Sequence, residues 1–345
     1  MERFYAVLAG SHATLPLAEL RGILDVEARR YGVLAVHTQL VLFEAEGLDA
    51  QVVTRRAGFV EEVGRLLAYT EAEPGAVEAV LETLEPLPGV YRVEFRRLRG
   101  FAASLYPDER AALKRFVGIL ESRGWKLSPR SYTGIIRIIV EEGVAVAGVM
   151  LGKLRVSELR DRWPHLRPFY KPGALDPRMA RLFVNLARVA RGSRYLDPFC
   201  GTGGFAIEAL LSAGAREAIC GDIDRDMAAG SAVNLSRYTG GRLWVTARWD
   251  ARRLPLRDES VDSIGTDTPY GRLTTTAGMK TEVIVAGFLR EAARVLRRGG
   301  FVAFACPHWV ECRELTLDAG LQLLEEHYMR VHGSLTRIII IARRR

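Results

Sequence analysis

Asp197-Pro198-Phe199-Cys200-Gly201-Thr202-Gly203-Gly204 lies between a short strand-like run, Arg194–Leu196, and a helical pattern, Phe205–Ala213. Strand, glycine turn and helix in that order open a parallel α/β sheet, which binds ligands beyond the carboxyl ends of its strands. Glycine at 201, 203 and 204 leaves backbone bare, so a ligand can approach it closely. Asp222 ends the next strand, Ala218–Gly221, and follows Gly201 by 21 residues. An acid at that spacing suits the hydroxyl pair of a ribose.

The pattern continues outward from this unit. Upstream, Pro177–Ala190 reads as a helix with Asp176 as N-cap and proline at the first position. Downstream come a helix at Arg225–Tyr238 and strands at Leu243–Ala247 and Val261–Thr266. A helix at Thr281–Leu296 is closed by Arg297-Arg298-Gly299-Gly300, and a strand follows at Phe301–Ala305. A helix at Glu311–Ala319 and a hairpin of Leu321–Glu326 with Ser334–Ala342 complete the pattern. Alternating strands and helices predict a mostly parallel sheet covered on both faces, with an antiparallel edge.

A second segment, Asp267-Thr268-Pro269-Tyr270-Gly271, follows the strand Val261–Thr266. An exocyclic amino group on a base is a poor nucleophile, because its lone pair is delocalised into the ring. The Asp267 carboxylate and the Thr268 carbonyl would accept its hydrogens, Pro269 would fix the turn that aims that carbonyl, and Tyr270 would stack on the base. The glycine turn alone also fits a dinucleotide fingerprint, Gly201-x-Gly203-x-x-Ala206. Asp197 argues against that reading, since it would repel a pyrophosphate and attract a cationic tail. S-adenosylmethionine has such a tail: Asp197 suits its ammonium, Asp222 its ribose, and Asp250 its adenine amino group.

The residues before 154 read differently. Phe4–Ala9, Leu15–Tyr31, Val33–Val36, Gln39–Glu44, Leu48–Arg55 and Phe59–Tyr69 give the order βαββαβ, which suits a small ferredoxin-like sandwich. A helix at Gly75–Glu85, a strand at Tyr91–Leu98, a helix at Asp108–Arg123 and strands at Gly134–Glu141 and Val144–Leu151 follow. Arg92, Arg96, Arg97, Arg99, Lys114, Arg115, Arg130 and Arg137 concentrate there and mark a candidate RNA-facing patch. Residues 154–175 carry three prolines and several aromatic residues, which makes them a linker or an ordered loop.

Composition agrees with a nucleic-acid partner without requiring one. The 345 residues carry a net charge of +8, and lysine stands only at 114, 126, 153, 171 and 280, leaving 44 of 49 basic residues as arginine. No uncharged apolar run is long enough to span a membrane, and no signal segment opens the chain, so a cytoplasmic location is expected. Cys200, Cys220, Cys306 and Cys312 form no C-x-x-C pair. Buried thiols in a reducing compartment are expected, and no metal site.

Together, Asp197–Gly204 and Asp267–Gly271 resemble the donor-binding and catalytic motifs of class I amino-methyltransferases. Arg167-Pro168-Phe169-Tyr170-Lys171-Pro172-Gly173 resembles a segment preceding that domain in the archaeal tRNA guanine-10 N2-methyltransferases. The resemblance implies an α/β protein with a Rossmann-like class I methyltransferase domain preceded by ferredoxin-like and THUMP α+β domains. The boundaries would be 1–72 ferredoxin-like, 73–153 THUMP, 154–175 linker and 176–345 methyltransferase. It implies transfer of methyl from S-adenosylmethionine to N2 of guanosine 10 in tRNA, once or twice. The candidate donor-binding set is then Asp197, Phe199, Gly201, Gly203, Asp222, Ile223, Asp250, Ala251 and Phe169. The catalytic set is Asp267, Thr268, Pro269 and Tyr270. A monomer is expected, and some relatives work with a small zinc-binding activator protein. The family usually has Asp-Pro-Pro-Tyr, so Thr268 is a departure. An amino-methyltransferase for ribosomal guanine or DNA adenine, and a non-catalytic RNA-binding protein, are the alternatives.

Overall fold

The computed structural model describes residues 1–98, 102–270, 279–333 and 335–345. Arg99, Gly271 and Ser334, singled out above, lie outside the described residues. The chain forms two compact units. The first comprises Met1–Leu17, Glu27–Arg55 and Val60–Leu154; the second comprises Arg155–Arg345 together with Ala18–Val26 and Arg56–Phe59.

The elements before residue 154 are β1 (Glu2–Leu8), α1 (Leu15–Glu27), β2 (Arg30–Val36), β3 (Leu40–Glu46), α2 (Ala50–Arg56) and β4 (Val60–Thr70). They continue with α3 (Pro74–Glu82), β5 (Tyr91–Arg97), α4 (Ala102–Leu105), α5 (Glu109–Ser122), β6 (Gly134–Glu141) and β7 (Val144–Lys153). The order βαββαβ is present through β4. The strands nevertheless form a single sheet, β2-β3-β1-β4-β7-β6-β5, in which β4 pairs along β7 from Glu62↔Lys153 to Thr70↔Ala145. One face buries Tyr5, Val7, Leu40 and Leu42 with Ile139, Val144 and Val146, so one apolar layer draws on both sides of residue 72.

A buried ion network explains part of the basic composition here. Arg137, 5% exposed, donates from Nε and Nη2 to Glu62 and from Nη1 to Glu94, while the Tyr5 hydroxyl donates to Glu62 at 2.8 Å. Gly64 and Gly148 leave room for the Tyr5 ring, which a Cβ at either position would strike at 2.3 and 2.6 Å. Arg137 therefore does not face solvent, contrary to its place in the basic patch. Its counter-charges are the buried Glu62, two strands away on β4, and Glu94 on the adjoining β5. Arg92, Arg96, Arg97 and Arg115 pair with Glu94, Glu61, Glu109 and Glu78. Lys114 and Arg130 are exposed.

The second unit is built from α6 (Pro177–Leu186), β8 (Arg194–Asp197), α7 (Gly204–Leu211), β9 (Glu217–Asp222), α8 (Arg225–Tyr238) and β10 (Leu243–Arg248). It continues with β11 (Val261–Asp267), α9 (Thr281–Val295), β12 (Leu296–Pro307), α10 (Cys312–Asp318), β13 (Leu321–His332) and β14 (Leu335–Arg344). Two 3-10 turns, Val156–Arg162 and Pro164–Leu166, precede them. The strand order is β10-β9-β8-β11-β12-β14-β13, parallel up to β12 and antiparallel thereafter. The expected hairpin is present, and its second strand lies inside, against β12. Asp176 caps α6 by accepting from the amides of Arg178 and Met179. The helix ends at Leu186 rather than Ala190, with Arg188 at φ 50°. Arg297-Arg298-Gly299-Gly300 is not a helix cap: α9 stops at Val295, and β12 starts at once with a bulge opposite Val261–Ser263. The core of β11, β12 and α9 joins Ile264, Val302 and Phe304 to Phe288, Leu289 and Ala292.

Cys306 and Cys312 form a disulfide, whereas Cys200 and Cys220 are free and buried. The expectation of four thiols is thus corrected for one pair. The end of β12 and the start of α10 bring the two sulfurs together. No helix among the described residues is long and apolar enough to cross a membrane.

Candidate active site

The site lies wholly in the second unit, at the carboxyl ends of β8, β9 and β11. Asp197 is the last residue of β8 and is 2% exposed. Its Oδ1 accepts from the Thr266 hydroxyl at 2.7 Å and from the Phe199 amide at 3.3 Å. Thr266 is the residue before Asp267, so a single hydrogen bond ties the two motifs together. Its geometry follows from the sheet, where β11 runs beside β8 with Ile264 opposite Leu196. Burial pushes the Asp197 carboxyl up to about 7, against the Thr266 and Phe199 hydrogen bonds.

The glycine turn is shaped by its backbone. Gly201 has φ 49° with open space where a Cβ would stand. Gly203 has φ 79°, and its amide donates to the Cys200 carbonyl at 2.7 Å. The Gly201 amide donates to Asp222 Oδ2 at 3.0 Å, and the Asp224 amide donates to Asp222 Oδ1 at 3.0 Å. Burial raises the Asp222 carboxyl above its ordinary value, opposed by these amides. Asp224 itself caps α8.

On the other side, Asp267 ends β11 and keeps 20% of its side chain exposed. Its Oδ1 accepts from the Tyr270 hydroxyl, and its Oδ2 lies 3.3 Å from Arg337 Nη2. Arg337 Nε donates to the Tyr270 oxygen at 2.8 Å, and its guanidinium lies 5.4 Å from the ring centroid. Burial raises the Asp267 carboxyl; the Arg337 charge and the Tyr270 hydrogen bond oppose it. Burial and the Asp267 charge push the Tyr270 hydroxyl well above its usual value. Thr268 is 2% exposed, and both its amide, at 3.1 Å, and its hydroxyl, at 2.8 Å, donate to the Ala305 carbonyl. A proline there would make neither bond.

These elements enclose one cleft of ≈ 530 Å³, which suits a nucleoside-sized ligand. Asp197, Phe199, Gly201, Asp222, Ile223, Asp250 and Ala251 line it, as do Asp267, Thr268, Pro269 and Tyr270. Gly203 shapes the turn from behind, where a Cβ would lie 3.2 Å from Ser231. Phe169 is the residue that the structure does not bring in. Its ring packs on Gly230 of α8, and its backbone exchanges hydrogen bonds with the Asn234 side chain. Asp250 lines the cleft, yet Arg252 holds both its oxygens and lowers its pKa.

Sequence reasoning missed Thr266, Arg252, Met279, Arg167 and Arg337. For Arg337 a signal existed: it is a lone charge opening a run of isoleucines, Ile338 to Ile341, in a strand buried on both faces. The residues present fit S-adenosylmethionine. The Gly201 cradle is open, and a buried carboxylate, Asp197, and a half-buried one, Asp222, flank it, which is a donor set that fits an ammonium and a ribose.

Residues 164–339 match the family described as UPF0020: RMKL-like, methyltransferase domain. The chain is 34% identical over 342 residues to the tRNA (guanine(10)-N2)-dimethyltransferase of Methanothermobacter thermautotrophicus, covering 98% of each chain. It is 30% identical over 365 residues to the enzyme of the same name from Methanocaldococcus jannaschii, covering 96% of this chain and 97% of that one. Among solved structures, TrmN from Thermus thermophilus has the same fold, with a TM-score of 0.52 at 22% identity over 99% of this chain and 100% of that one.

Proposed function

Since this chain belongs to the family of tRNA (guanine(10)-N2)-dimethyltransferases, we propose that it methylates the exocyclic N2 of guanosine 10 in tRNA. The donor is S-adenosylmethionine, which supplies an electrophilic sulfonium methyl: a C–N bond forms as the C–S bond breaks. Asp197 would hold the donor's ammonium, Asp222 its ribose, and the Gly201 turn its backbone-facing edge. Phe199, Ile223 and Ala251 supply the apolar wall.

The observation that carries this reading is the Thr266–Asp197 hydrogen bond, which joins donor-side and base-side motifs in one cleft. Asp267 would accept an amino hydrogen, and the rise of its carboxyl on burial supports that role. The amino group would take the Oδ1 position that Tyr270 now occupies, while the Tyr270 ring stacks on the base. The target base has to leave its stack to reach that depth. Thr268 keeps its carbonyl aimed by its two bonds to Ala305, which serves in place of the family's usual proline.

Residues 1–153, whose strands share one sheet, would hold tRNA, with the THUMP-like part in 73–153 and the linker at 154–175. A monomer in the cytoplasm, with or without a small zinc-binding activator, completes the proposal. The test incubates purified protein with a tRNA transcript and labelled donor, then digests and separates the nucleosides. N2-methylguanosine that disappears when guanosine 10 is replaced by adenosine is the expected result. Label that survives this replacement would move the site elsewhere.

A further inference from the structure

Arg167 is a buried cation with no anion of its own. It is 6% exposed and lines the cleft beside Thr202 and Gly204. Its Nε donates to the Arg162 carbonyl at 2.8 Å, Nη1 to the Thr202 hydroxyl at 3.1 Å, and Nη2 to the Leu175 carbonyl at 3.2 Å. All three acceptors are neutral. Among the described residues no carboxylate lies within the 4.0 Å of an ion pair. Glu208, an acid whose charge reaches it, is already shared by Arg162 at 2.7 Å and Arg181 at 2.8 Å. Asp176, another, is committed to capping α6. The group of Arg162, Arg167, Arg181 and Glu208 therefore carries surplus positive charge. Burial lowers the Arg167 pKa, as expected for a desolvated cation without compensation.

A buried charge of this kind is costly unless a counter-charge arrives. Arg167 Nη1 lies 2.8 Å from where a Gly204 Cβ would stand, so the guanidinium is pressed against the same turn that Asp197 opens. The turn is thus flanked by a buried anion and a buried cation, which is the charge pattern of an amino-acid zwitterion. We infer that Arg167 binds the α-carboxylate of the donor's amino-acid tail, opposite Asp197 and its ammonium. The guanidinium keeps a second N–H on each terminal nitrogen for the two carboxylate oxygens, in the fork geometry that arginine favours. Arg167 and not its neighbour Phe169 is then the ligand-touching residue of segment 167–173. Lys171 also lines the cleft, but it is partly exposed and lies 5.9 Å from the Phe169 ring centroid.

The inference rests on the donor identity proposed above, and titration calorimetry separates the two. Three probes are used: S-adenosylhomocysteine, its decarboxylated counterpart and methylthioadenosine, which lacks both carboxylate and ammonium. Arg167→Gln is expected to weaken S-adenosylhomocysteine roughly 30-fold or more, as for loss of a buried charge partner. The other two probes should change by less than about threefold, which also reports an intact cleft. Lys171→Gln should leave all three nearly unchanged. Equal weakening of all three by Arg167→Gln, or of none, would overturn the inference. If Arg167→Gln does not fold, the wild-type protein decides: the decarboxylated probe must bind about tenfold or more weaker than S-adenosylhomocysteine, and equal binding overturns the inference. A wild-type protein that binds none of the adenosyl probes would instead defeat the donor assignment.

Discussion

The two halves of the cleft hold their carboxylates by different means. On the donor side, backbone amides of Phe199, Gly201 and Asp224 reach Asp197 and Asp222, and one side chain, the Thr266 hydroxyl, joins them at Asp197. On the base side, among the described residues, Asp267 is held only by side chains, Tyr270 and Arg337. Amides fixed by a turn stay in place when a ligand binds, whereas side-chain contacts can be exchanged for those of a substrate. On the function proposed above, the mostly amide-held half would receive the donor, and the side-chain-held half would exchange its contacts for those of the base.

Replacing Asp267 with alanine tests this division most severely. Turnover should fall about 1,000-fold, within the range for loss of a general base. The affinity for S-adenosylhomocysteine should stay within about twofold. A parallel loss of donor affinity would erase the distinction between the halves.

Asp197 sharpens the donor side through pH. Its carboxyl is pushed up to about 7 by burial, so the ionised form that an ammonium needs declines as pH falls below that value. Donor affinity should weaken as pH falls through 7, approaching about tenfold per unit, whereas Asp197→Asn should bind weakly at every pH. Stability should run the other way. A carboxyl raised by folding contributes its stability at low pH and loses it as pH rises towards 7. Asp197→Asn should then raise Tm by about 2–4 °C at pH 8. A donor affinity flat between pH 6 and 8 would remove Asp197 from contact with the ammonium.

Arg337→Gln probes the base side. Removing that charge should raise the Asp267 carboxyl further and move the acidic limb of the kcat/KM profile to higher pH. At neutral pH kcat should drop about tenfold while donor affinity holds. A lowered kcat with an unmoved limb would mean that Arg337 only packs the strand. The mildest test is Thr268→Val, which deletes the hydroxyl donated to Ala305 and keeps the amide. It should cost about 1 kcal/mol of stability, the worth of one hydrogen bond, and change kcat by no more than about threefold.

Much of the second unit was legible because its signals are local. A glycine turn between strand and helix, an acid at the next strand end, and Asp176-Pro177 at a helix start each occupy a few adjacent residues. What was illegible depends on register. Arg337 meets Asp267 only because β14 lies against β12, which lies against β11. The boundary drawn at residue 72 falls within a sheet, since β4 and β7 pair across a long stretch of intervening chain. Phe169 was misplaced because an aromatic residue near a binding segment gives no sign of which side it packs on. Arg137 was misread because composition does not distinguish a buried ion partner from a surface charge. Cys306 and Cys312 carried no pairing motif, and a strand end and a helix start bring them together.

The interior position of β14 sets an order on biosynthesis. A nascent chain that has left the ribosome as far as Ala251 already contains the donor-side acids and the glycine turn. Arg337 emerges only with β14, which then inserts between β12 and β13. A translation product arrested before β14 would lack the Arg337 clamp on Asp267 and Tyr270.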